Sequence, residues 1–512
     1  MFYFRKAAIS TAFLALALIC TSAFPFSLGK DSKGNFLSWD INSIPIRYWI
    51  HLENPTDETA LPKFHAVVRA FESWEAKMLS LVSFKYAGLT DVNKAAFDGI
   101  NLVTWITSNW QYNSDTVAYT TLWITENGRI LDADIELNAE YFEWSATGEK
   151  DKMDIHNVLT HEAGHFIGIE HSIESTNLSM FPIVTAGEVR KRIVKPDDIS
   201  AASFLYPVNS ATLEIFDLPS ENLMNELIFS ERLNSNYSDL ISKSNISKVT
   251  GIKINSRADA GIAALSFNTG GFILQTFPKP GKHDEEISAT AKDYFSTPDI
   301  FIKDITSLDI DGDEVEEVAV LGVDTLSNHA VLIYDSPLEG TFGSDNPKEW
   351  IARDLWRIPD SNDNLMIFSL DIDGDGQSEL ATLSYAMDGI YLIKSYAPPL
   401  RYDNSAENAL SRGDAMRIPF TIAGSILDID SLDIDSDGVS ELVILIKGDF
   451  GYTVQVLRIS IPAFADEVQE FKVIMTMSLI LEKDEHPVAL SVISGYDMKR
   501  PEILLTIAKT NR

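Results

Sequence analysis

The sequence predicts two parts of different fold class, an α+β domain in the first half of the chain and all-β repeats in the second half. The first prediction comes from the amphipathic segment FHAVVRAFESWEAKMLSLVSFKYAG and from strand-like runs that lead to a helix carrying HEAGHFIGIEH. The second comes from an acidic segment that occurs three times, 62 residues apart, each time followed by paired strand-like runs. At 512 residues the chain is long enough for two or three domains, each with its own core.

The run HEAGHFIGIEH carries residue types that bind a metal ion. On a helix, His161 and His165 stand at i and i+4 on one face, where their ring nitrogens can share one zinc ion. Gly168 permits the positive φ that ends a helix, so the chain can turn and present His171 as a third ligand. Three protein ligands leave a fourth position open, which is typical of a catalytic zinc site rather than a structural one.

Glu162 follows the first of these histidines and is predicted to act beside the metal without binding it. A carboxylate there can accept the proton of an activated water and pass it to a leaving amine, so the predicted reaction is peptide-bond hydrolysis without a covalent intermediate. The alternative is a buried amphipathic helix with incidental histidines. That alternative requires three of the nine histidines in the chain to fall into register by accident.

With Gly168, His171 and the later Met180 in the run LSMFP, the pattern resembles the metzincin zinc motif and its Met-turn. Residues 39–207 resemble a matrixin, the matrix-metalloproteinase branch of the metzincins, in Trp39 and in the runs IPIRYWIH, DGINLVTWI, AYTTLWI and GRILDADIELN. The resemblance implies a twisted, mostly parallel sheet with an active-site helix. It also implies a secreted zinc metalloendopeptidase with one catalytic zinc and a protein or peptide substrate.

The same resemblance assigns roles to residues around the motif. The strand at residues 118–124 would be a sheet edge that binds an extended substrate by strand addition. Met180 would form an apolar floor under the zinc ligands, and residues 182–192 would form the wall of the pocket for the side chain after the scissile bond. Asp197 and Asp198 would be structural residues that tie down the Met-turn and the mature N-terminus.

Two features depart from the vertebrate matrixins. Their propeptide cysteine, which caps the zinc, has no counterpart here, because the only cysteine is Cys20. Their second, structural zinc is also expected to be absent, because residues 66–155 contain no histidine. Asp132 and Asp134 instead form either a structural calcium site in the protease domain or simply a solvated face.

Residues 1–23 resemble a secretory signal peptide, with a basic start, an apolar stretch and a small-residue exit near Ala23. The apolar stretch is too short for a membrane span, and no later segment offers one. Cys20 as a lipid-attachment site is the alternative, but Ile19 before it is too bulky, which favours soluble export. The expected location is extracellular, with the periplasm and the cell surface also open.

Charge argues against one class of partner. The net charge of −34, from 75 acidic and 41 basic residues, excludes nucleic acid as a partner, because the two would repel each other. An acidic exported chain either binds divalent cations, which relieve its repulsion, or uses the charge only for solubility. Both interpretations remain open at this point.

The three acidic segments of the second half have the composition of calcium loops. Each has aspartates at positions 1, 3 and 5 and a glutamate at position 9. The predicted ligands are Asp309, Asp311, Asp313, Glu317, Asp371, Asp373, Asp375, Glu379, Asp433, Asp435, Asp437 and Glu441. Oxygen ligands crowded in a short loop predict about three calcium ions. An EF-hand is excluded, because its position 12 requires a glutamate and these loops have Val320, Thr382 and Ile444 there.

A loop followed by a strand, a turn and a strand, repeated at this spacing, resembles the FG-GAP or VCBS repeats of calcium-binding β-propellers. The expected domains are therefore a protease domain at 30–207, a linker with one short helix at 208–245, and propeller-like repeats at 246–512. The chain ends partway through its last copy, so a strand from the start of this region is expected to complete the final blade. The number of blades stays open.

Two functions follow. The first is a secreted endopeptidase whose calcium-binding repeats bind an extracellular protein or glycan partner or add stability. The second is a secreted, calcium-dependent adhesion protein in which the metzincin fold is a non-proteolytic scaffold. Glu162 and the three histidines favour the first, because nothing in the motif indicates lost catalysis.

Overall fold

The computed structural model describes residues 3–4, 26–75, 80–173, 175–208 and 210–217, and from residue 246 onward the β-strands with a few adjoining residues. The chain divides into two compact units, with the boundary between Pro207 and Val208. No helix of this described part is long and apolar enough to cross a membrane.

The first unit is an α+β domain built on a six-stranded sheet in the order β1-β5-β6-β4-β2-β3. Its strands are β1 (Tyr3–Phe4), β2 (Ile46–Ile50), β3 (Phe84–Leu89), β4 (Leu102–Ile106), β5 (Ala118–Ile124) and β6 (Ile130–Asn138). The pairs β2–β3, β2–β4 and β4–β6 are parallel, whereas β5 pairs antiparallel with β6. The predicted fold class of this half, a mostly parallel sheet with helices, is confirmed.

The described residues of this unit also contain three α-helices. They are α1 (Ala60–Glu72), α2 (Ile155–Phe166) and α3 (Pro196–Leu205), with 3₁₀ turns at Ile41–Ser43 and Arg190–Arg192 and a two-stranded sheet of β7 (Trp144–Ser145) and β8 (Met153–Asp154). Helix α1 has the apolar spacing of an amphipathic helix, because Phe64, Val67, Val68 and Phe71 share one buried face. The Phe71 ring stacks on Tyr48 of the sheet, with centroids 4.0 Å apart.

The outer side of β5 has one short partner. Tyr3 and Phe4 pair antiparallel with Ile124 and Trp123, at the end of β5. The described residues place no strand beside Ala118–Leu122 on that side. In the described part of the chain, β5 is therefore the edge strand of the sheet over most of its length.

In the second unit, the described residues form five antiparallel sheets. Four of them have four strands each. The first sheet contains β10 (Ile246–Lys253), β11 (Ala260–Asn268), β12 (Gly271–Pro278) and β13 (Ala291–Phe295), and the second contains β14 (Ile300–Leu308), β15 (Glu317–Asp324), β16 (His329–Asp335) and β17 (Ile351–Arg357). The third sheet contains β18 (Asn364–Leu370), β19 (Glu379–Tyr385), β20 (Tyr391–Ala397) and β21 (Ser411–Arg417), and the fourth contains β22 (Gly424–Leu432), β23 (Glu441–Gly448), β24 (Gly451–Ser460) and β25 (Glu470–Ser478). The fifth has β26 (Glu485–Ile493), β27 (Glu502–Lys509) and β9 (Ser210–Asp217).

The linker prediction is wrong for residues 210–217. They form β9, which pairs antiparallel with β27 from Ser210↔Lys509 to Asp217↔Glu502 and so completes the last sheet. Polar and apolar residues alternate along this run, SATLEIFD, from Ser210 to Ile215, which is the period of a strand. The remainder of the expected linker, residues 218–245, lies outside the described part of the chain.

The sheets pack face to face through apolar side chains. On β15, Val318 and Val320 pack with residues of the first sheet, whereas Ala319 and Leu321 pack with residues of the third. Because both faces of β15 are covered, the strand reads as a continuous apolar run rather than an alternating one. The first strands also contact one another in the order β10, β14, β18, β22, β26, and β26 contacts β10.

Candidate active site

The zinc-motif helix α2 is fixed at its start by a buried carboxylate. Asp154 is its N-cap, and the Asp154 side chain accepts a hydrogen bond of 2.8 Å from the backbone N–H of Asn157. The same carboxylate binds Arg192 at two points, Nε to Oδ1 at 2.9 Å and Nη2 to Oδ2 at 2.6 Å. Both side chains are buried, so the start of α2 is tied to the segment that follows the Met-turn.

The end of α2 turns where the sequence predicted. Gly168 has φ +93°, its N–H donates to the carbonyl of His165 at 2.9 Å, and the N–H of Ile169 donates to the carbonyl of Gly164 at 2.9 Å. These two bonds form a Schellman motif. A Cβ at position 168 would lie 2.2 Å from the carbonyl oxygen of Leu37, so only glycine fits here.

The turn brings three imidazoles together. Nε2 of His171 lies 3.1 Å from Nε2 of His161 and 3.1 Å from Nε2 of His165. A tetrahedral zinc with metal–nitrogen distances of about 2.0–2.1 Å would separate its ligands by about 3.3 Å. Among the described residues, one cluster of three or more His, Cys, Asp or Glu side chains has ligand atoms that all lie within 4.8 Å of one another, and this triad is that cluster.

The other ring nitrogens of two of these histidines are held by backbone carbonyls. Nδ1 of His161 lies 2.7 Å from the carbonyl of Ser179, and Nδ1 of His165 lies 2.8 Å from the carbonyl of Ile169. A carbonyl only accepts, so each Nδ1 carries a proton, and in this tautomer the lone pair of Nε2 points toward the centre of the triad. The Nε2 atoms of the three histidines converge, with that of His171 3.1 Å from each of the other two, so these residues could hold a cation between them.

Burial keeps the rings of His161 and His171 in the form that binds a metal. Desolvation lowers the pKa of His161 well below its usual value, and the neighbouring His165 lowers it further. Desolvation also lowers the pKa of His171 to about 3. Neutral imidazole is the form that can bind a cation, so these pKa shifts suit a metal site over a wide range of pH.

Glu162 projects from α2 beside the triad and is buried. Its Oε2 accepts a hydrogen bond of 2.6 Å from the hydroxyl of Thr120 on β5. Desolvation raises the pKa of this carboxyl, whereas His165 and Thr120 oppose the rise. A carboxylate with a raised pKa next to a metal-binding triad is suited to accept and return a proton.

Met180 forms the floor beneath the helix. It is fully buried, and a Cβ at Gly164 would lie 2.2 Å from its Sδ and 2.8 Å from the ring of Trp74. The helix and the Met-turn therefore approach closely because position 164 has no side chain. The carbonyl of Met180 also accepts a hydrogen bond of 2.9 Å from the N–H of Ser172.

Asp198 lies near the start of α3 and is bound to the Met-turn. Its Oδ2 accepts a hydrogen bond of 2.9 Å from the backbone N–H of Ser179, the residue whose carbonyl contacts His161. Asp198 therefore holds the backbone of the residue before Met180, and its expected role in tying down the Met-turn stays a prediction. Asp197 precedes it in the first turn of α3, next to Pro196.

Asp132 and Asp134 lie on β6 and are buried. Oδ2 of Asp132 accepts from the N–H groups of Asp98 at 2.9 Å and Gly99 at 2.7 Å. Asp134 accepts at both oxygens, from the backbone N–H groups of residues 96 and 102, each at 2.8 Å. The expectation of a solvated face is wrong, because these carboxylates anchor the backbone of the preceding loop.

The acidic repeats occupy the same place in three sheets. Glu317, Glu379 and Glu441 each begin the second strand of a sheet and pair with the last residue of the first strand. Asp309, Asp371 and Asp433 directly follow that first strand, and Asp437 lies further along the third loop. The other predicted ligands lie outside the described residues, and they are Asp311, Asp313, Asp373, Asp375 and Asp435.

The third loop shows how two of these carboxylates are used. Asp433 accepts from the N–H groups of Asp437 at 3.1 Å and Gly438 at 2.9 Å. Glu441 accepts from the N–H of Ile434 at 3.0 Å and pairs with Arg458 at 3.0 Å. In this structure both side chains hold the loop backbone.

Several residues of the site were not found by sequence reasoning. Thr120 and Arg192 contact the site from distant parts of the chain, and Gly164 lies within α2 itself. Tyr206 donates from its hydroxyl to the carbonyl of Ile167 at 2.7 Å, at the end of α2. Only Gly164 carried a local signal, because it lies within the zinc motif itself. The others depend on which strands and loops meet in the fold.

With this geometry in place, residues 38–207 match the family model of the matrixins, a peptidase family. The match supports a matrixin-type metalloprotease catalytic domain in that region, with zinc as the metal and protein as the substrate. The match runs from Ser38 to Pro207, where the first unit ends, and does not extend into the β-sheets of the second unit. No curated protein matches the chain.

Proposed function

We propose that the protein is an exported zinc endopeptidase that hydrolyses peptide bonds of extracellular proteins, with a calcium-binding β-repeat unit for stability or partner binding. The observation that supports it most is the convergence of the Nε2 atoms of His161, His165 and His171, with Glu162 beside them. Residues 1–23 would be its leader and be removed on export. Residues 5–25 lie outside the described part of the chain.

In the proposed mechanism, three histidines hold the metal and one glutamate transfers the proton. Zinc, when bound, supplies a Lewis acid that polarises a carbonyl and lowers the pKa of water. His161, His165 and His171 hold it, with the first two oriented by backbone carbonyls. Glu162 accepts a proton from the attacking water at its carboxylate and returns it to the nitrogen of the leaving amine.

Substrate would lie along β5. The backbone N–H and C=O groups of Ala118–Leu122 on the outer side can pair with an extended peptide by strand addition. In this proposal, removal of the leader takes away the short strand β1 and frees the end of β5. The wall of the pocket for the residue after the scissile bond would come from residues 182–192.

Hydrolysis of casein by the mature, zinc-loaded chain tests this function. We expect hydrolysis by the wild type and loss of about three orders of magnitude or more in Glu162→Ala, because the general base is removed. Glu53→Ala is the matched control, since Glu53 is exposed and outside the site. Equal activity of the wild type and Glu162→Ala at one zinc per chain contradicts the protease function and favours the adhesion alternative.

For the second unit we propose a five-bladed propeller. The support is that the first strands of the five sheets contact one another in sequence and that β26 contacts β10. The Lys248 ammonium on β10 contacts the carboxylates of Asp304 on β14 and Asp428 on β22. In this arrangement β9 completes the last blade, so the ring is closed by a strand from its own beginning.

We propose that the loops beginning at Asp309, Asp371 and Asp433 bind calcium. The support is their repeated sequence and their equivalent place, between the first and second strands of three sheets. Asp132 and Asp134 are not part of this proposal, because backbone N–H groups already occupy three of their four carboxylate oxygens.

Calorimetry of the full chain tests the calcium proposal. All divalent metal is removed with a chelating resin, one equivalent of zinc per chain is then restored to every sample, and calcium is added back to half of them. We expect the melting temperature of the second unit to fall without calcium and to recover with it, because bound ligand stabilises the native state. Substitution of the first aspartate of each loop by asparagine should abolish this response, and an unchanged melt in the wild type contradicts calcium binding.

A further inference from the structure

Thr120 is placed where it can control the catalytic carboxylate. It is the third residue of β5, and its hydroxyl donates to Oε2 of Glu162 at 2.6 Å. Glu162 comes from α2, which contacts β5. The contact therefore joins the proposed base to the strand proposed to bind substrate.

The hydrogen bond is selective for one oxygen of the carboxylate. Among the described residues, Thr120 is the hydrogen-bond donor to the Glu162 side chain, and Oε1 receives no donor from them. The Thr120 hydroxyl also lies 3.3 Å from the backbone carbonyl oxygen of Glu162. A hydroxyl has one proton, and the shorter contact to a charged acceptor is the stronger of the two.

Fixing one oxygen defines the position of the other. The terminal torsion of a glutamate side chain is broad and has a low barrier, so an unheld carboxylate samples many orientations. With Oε2 held, Oε1 is the oxygen left to accept a proton from the attacking water. A base already in its reactive orientation does not have to be ordered during the reaction, which lowers the barrier.

We propose that Thr120 is a positioning residue that orients the general base Glu162, an inference that rests on the proposed protease function. Because Thr120 lies on β5, the same strand would align the extended peptide through its backbone and the base through one side chain. Substrate and base would then share a single rigid frame.

The test compares Thr120→Val with Thr120→Ser in the full zinc-loaded mature chain. Valine keeps the β-branched shape that suits a strand and removes only the hydroxyl, whereas serine keeps the hydroxyl. We expect Thr120→Val to lower kcat roughly tenfold with KM within about twofold, since a hydrogen bond to a charged group contributes at about this level. Thr120→Ser should return kcat to near the wild-type value.

A double-variant cycle shows whether Thr120 acts through Glu162. Glu162→Asp shortens the side chain by one methylene and withdraws the carboxylate from the Thr120 hydroxyl. In that background, Thr120→Val should change kcat by less than twofold, because the hydrogen bond is already lost. Zinc content and melting temperature are measured on every variant.

The outcomes separate the two proposals. If the wild type with one zinc per chain hydrolyses no peptide, the protease function fails and the positioning role fails with it. If the wild type is active and Thr120→Val keeps its kcat, only the positioning role is overturned. It is also overturned if serine fails to restore activity, if zinc content falls with the hydroxyl, or if the effect is undiminished in the Glu162→Asp background.

Discussion

Lys248 of β10 and Asp428 of β22 form a buried ion pair, with Nζ and Oδ1 2.7 Å apart, although the two strands belong to the first and fourth sheets of the second unit. The same ammonium contacts Asp304 of the second sheet. The two aspartates raise the pKa of this buried lysine, against the effect of desolvation. Each aspartate also accepts a backbone hydrogen bond from the first strand of the following sheet. Asp304 accepts from the N–H of Ile367 on β18, and Asp428 accepts from the N–H of Leu490 on β26, both at 2.8 Å.

Substitution of Lys248 by methionine should destabilise the second unit strongly. The variant leaves Asp304 and Asp428 buried without their common cation, and removing one partner of a buried ion pair costs about 3–5 kcal/mol. Chemical denaturation of the full chain, followed by tryptophan fluorescence and circular dichroism, measures the loss. Lys472→Met, at an exposed position of β25, is the matched control, and an equal stability of both variants contradicts the bridging role of Lys248.

Replacement of Gly168 by alanine should disrupt the zinc site more than the same change at Gly34. Both glycines have positive φ, +93° and +87°, but only at position 168 would the new Cβ meet a backbone oxygen, at 2.2 Å. Gly34→Ala should therefore cost only about 1–2 kcal/mol, the penalty of the left-handed conformation. Gly168→Ala should cost more and should also lower the affinity for zinc, because His171 follows the turn.

Equilibrium zinc titration and thermal unfolding of the two variants make this comparison. Equal loss of stability, with an unchanged zinc affinity in Gly168→Ala, contradicts the close approach of the turn to Leu37.

Lys191 should make the first unit more stable as pH rises through the alkaline range. Its side chain is buried, and desolvation lowers its pKa in the folded state from 10.5 to about 8. Between these two values the unfolded chain binds the proton and the folded chain does not, so unfolding free energy increases with pH. Below pH 8 the group is charged in both states and its burial penalty is fully present.

The comparison with Lys191→Met isolates this contribution. The stability of the wild type relative to the variant should increase by about 3 kcal/mol between pH 8 and 10.5, because one pKa unit corresponds to about 1.36 kcal/mol. Urea denaturation of the metal-free chain at several pH values measures it. A constant difference across this range shows that the lysine is charged in both states throughout.

The zinc motif could be predicted because its geometry is local. His161 and His165 are placed by one helical turn, and Gly168 and His171 by the turn that ends the helix, so spacing alone is sufficient. The mostly parallel sheet of this unit was implied by its resemblance to a known family rather than by periodicity.

The surroundings of the site could not be predicted in the same way. Thr120 meets Glu162, and Asp154 meets Arg192, across separations of 42 and 38 residues that depend on sheet order and on the path of the Met-turn segment. In the second unit, the acidic loops were visible as a repeat. The strand β9 also carried a period of two, but its place beside β27 depends on closure of the last sheet by residues nearly three hundred positions away.

X-ray absorption at the zinc edge, on the mature chain loaded with one equivalent of zinc, tests the coordination sphere on which the account depends. We expect a first shell with three imidazole nitrogens at about 2.0–2.1 Å and one water oxygen, and one imidazole nitrogen fewer in His171→Ala. A shell of carboxylate oxygens, or a spectrum unchanged by His171→Ala, would contradict binding of the metal by His161, His165 and His171.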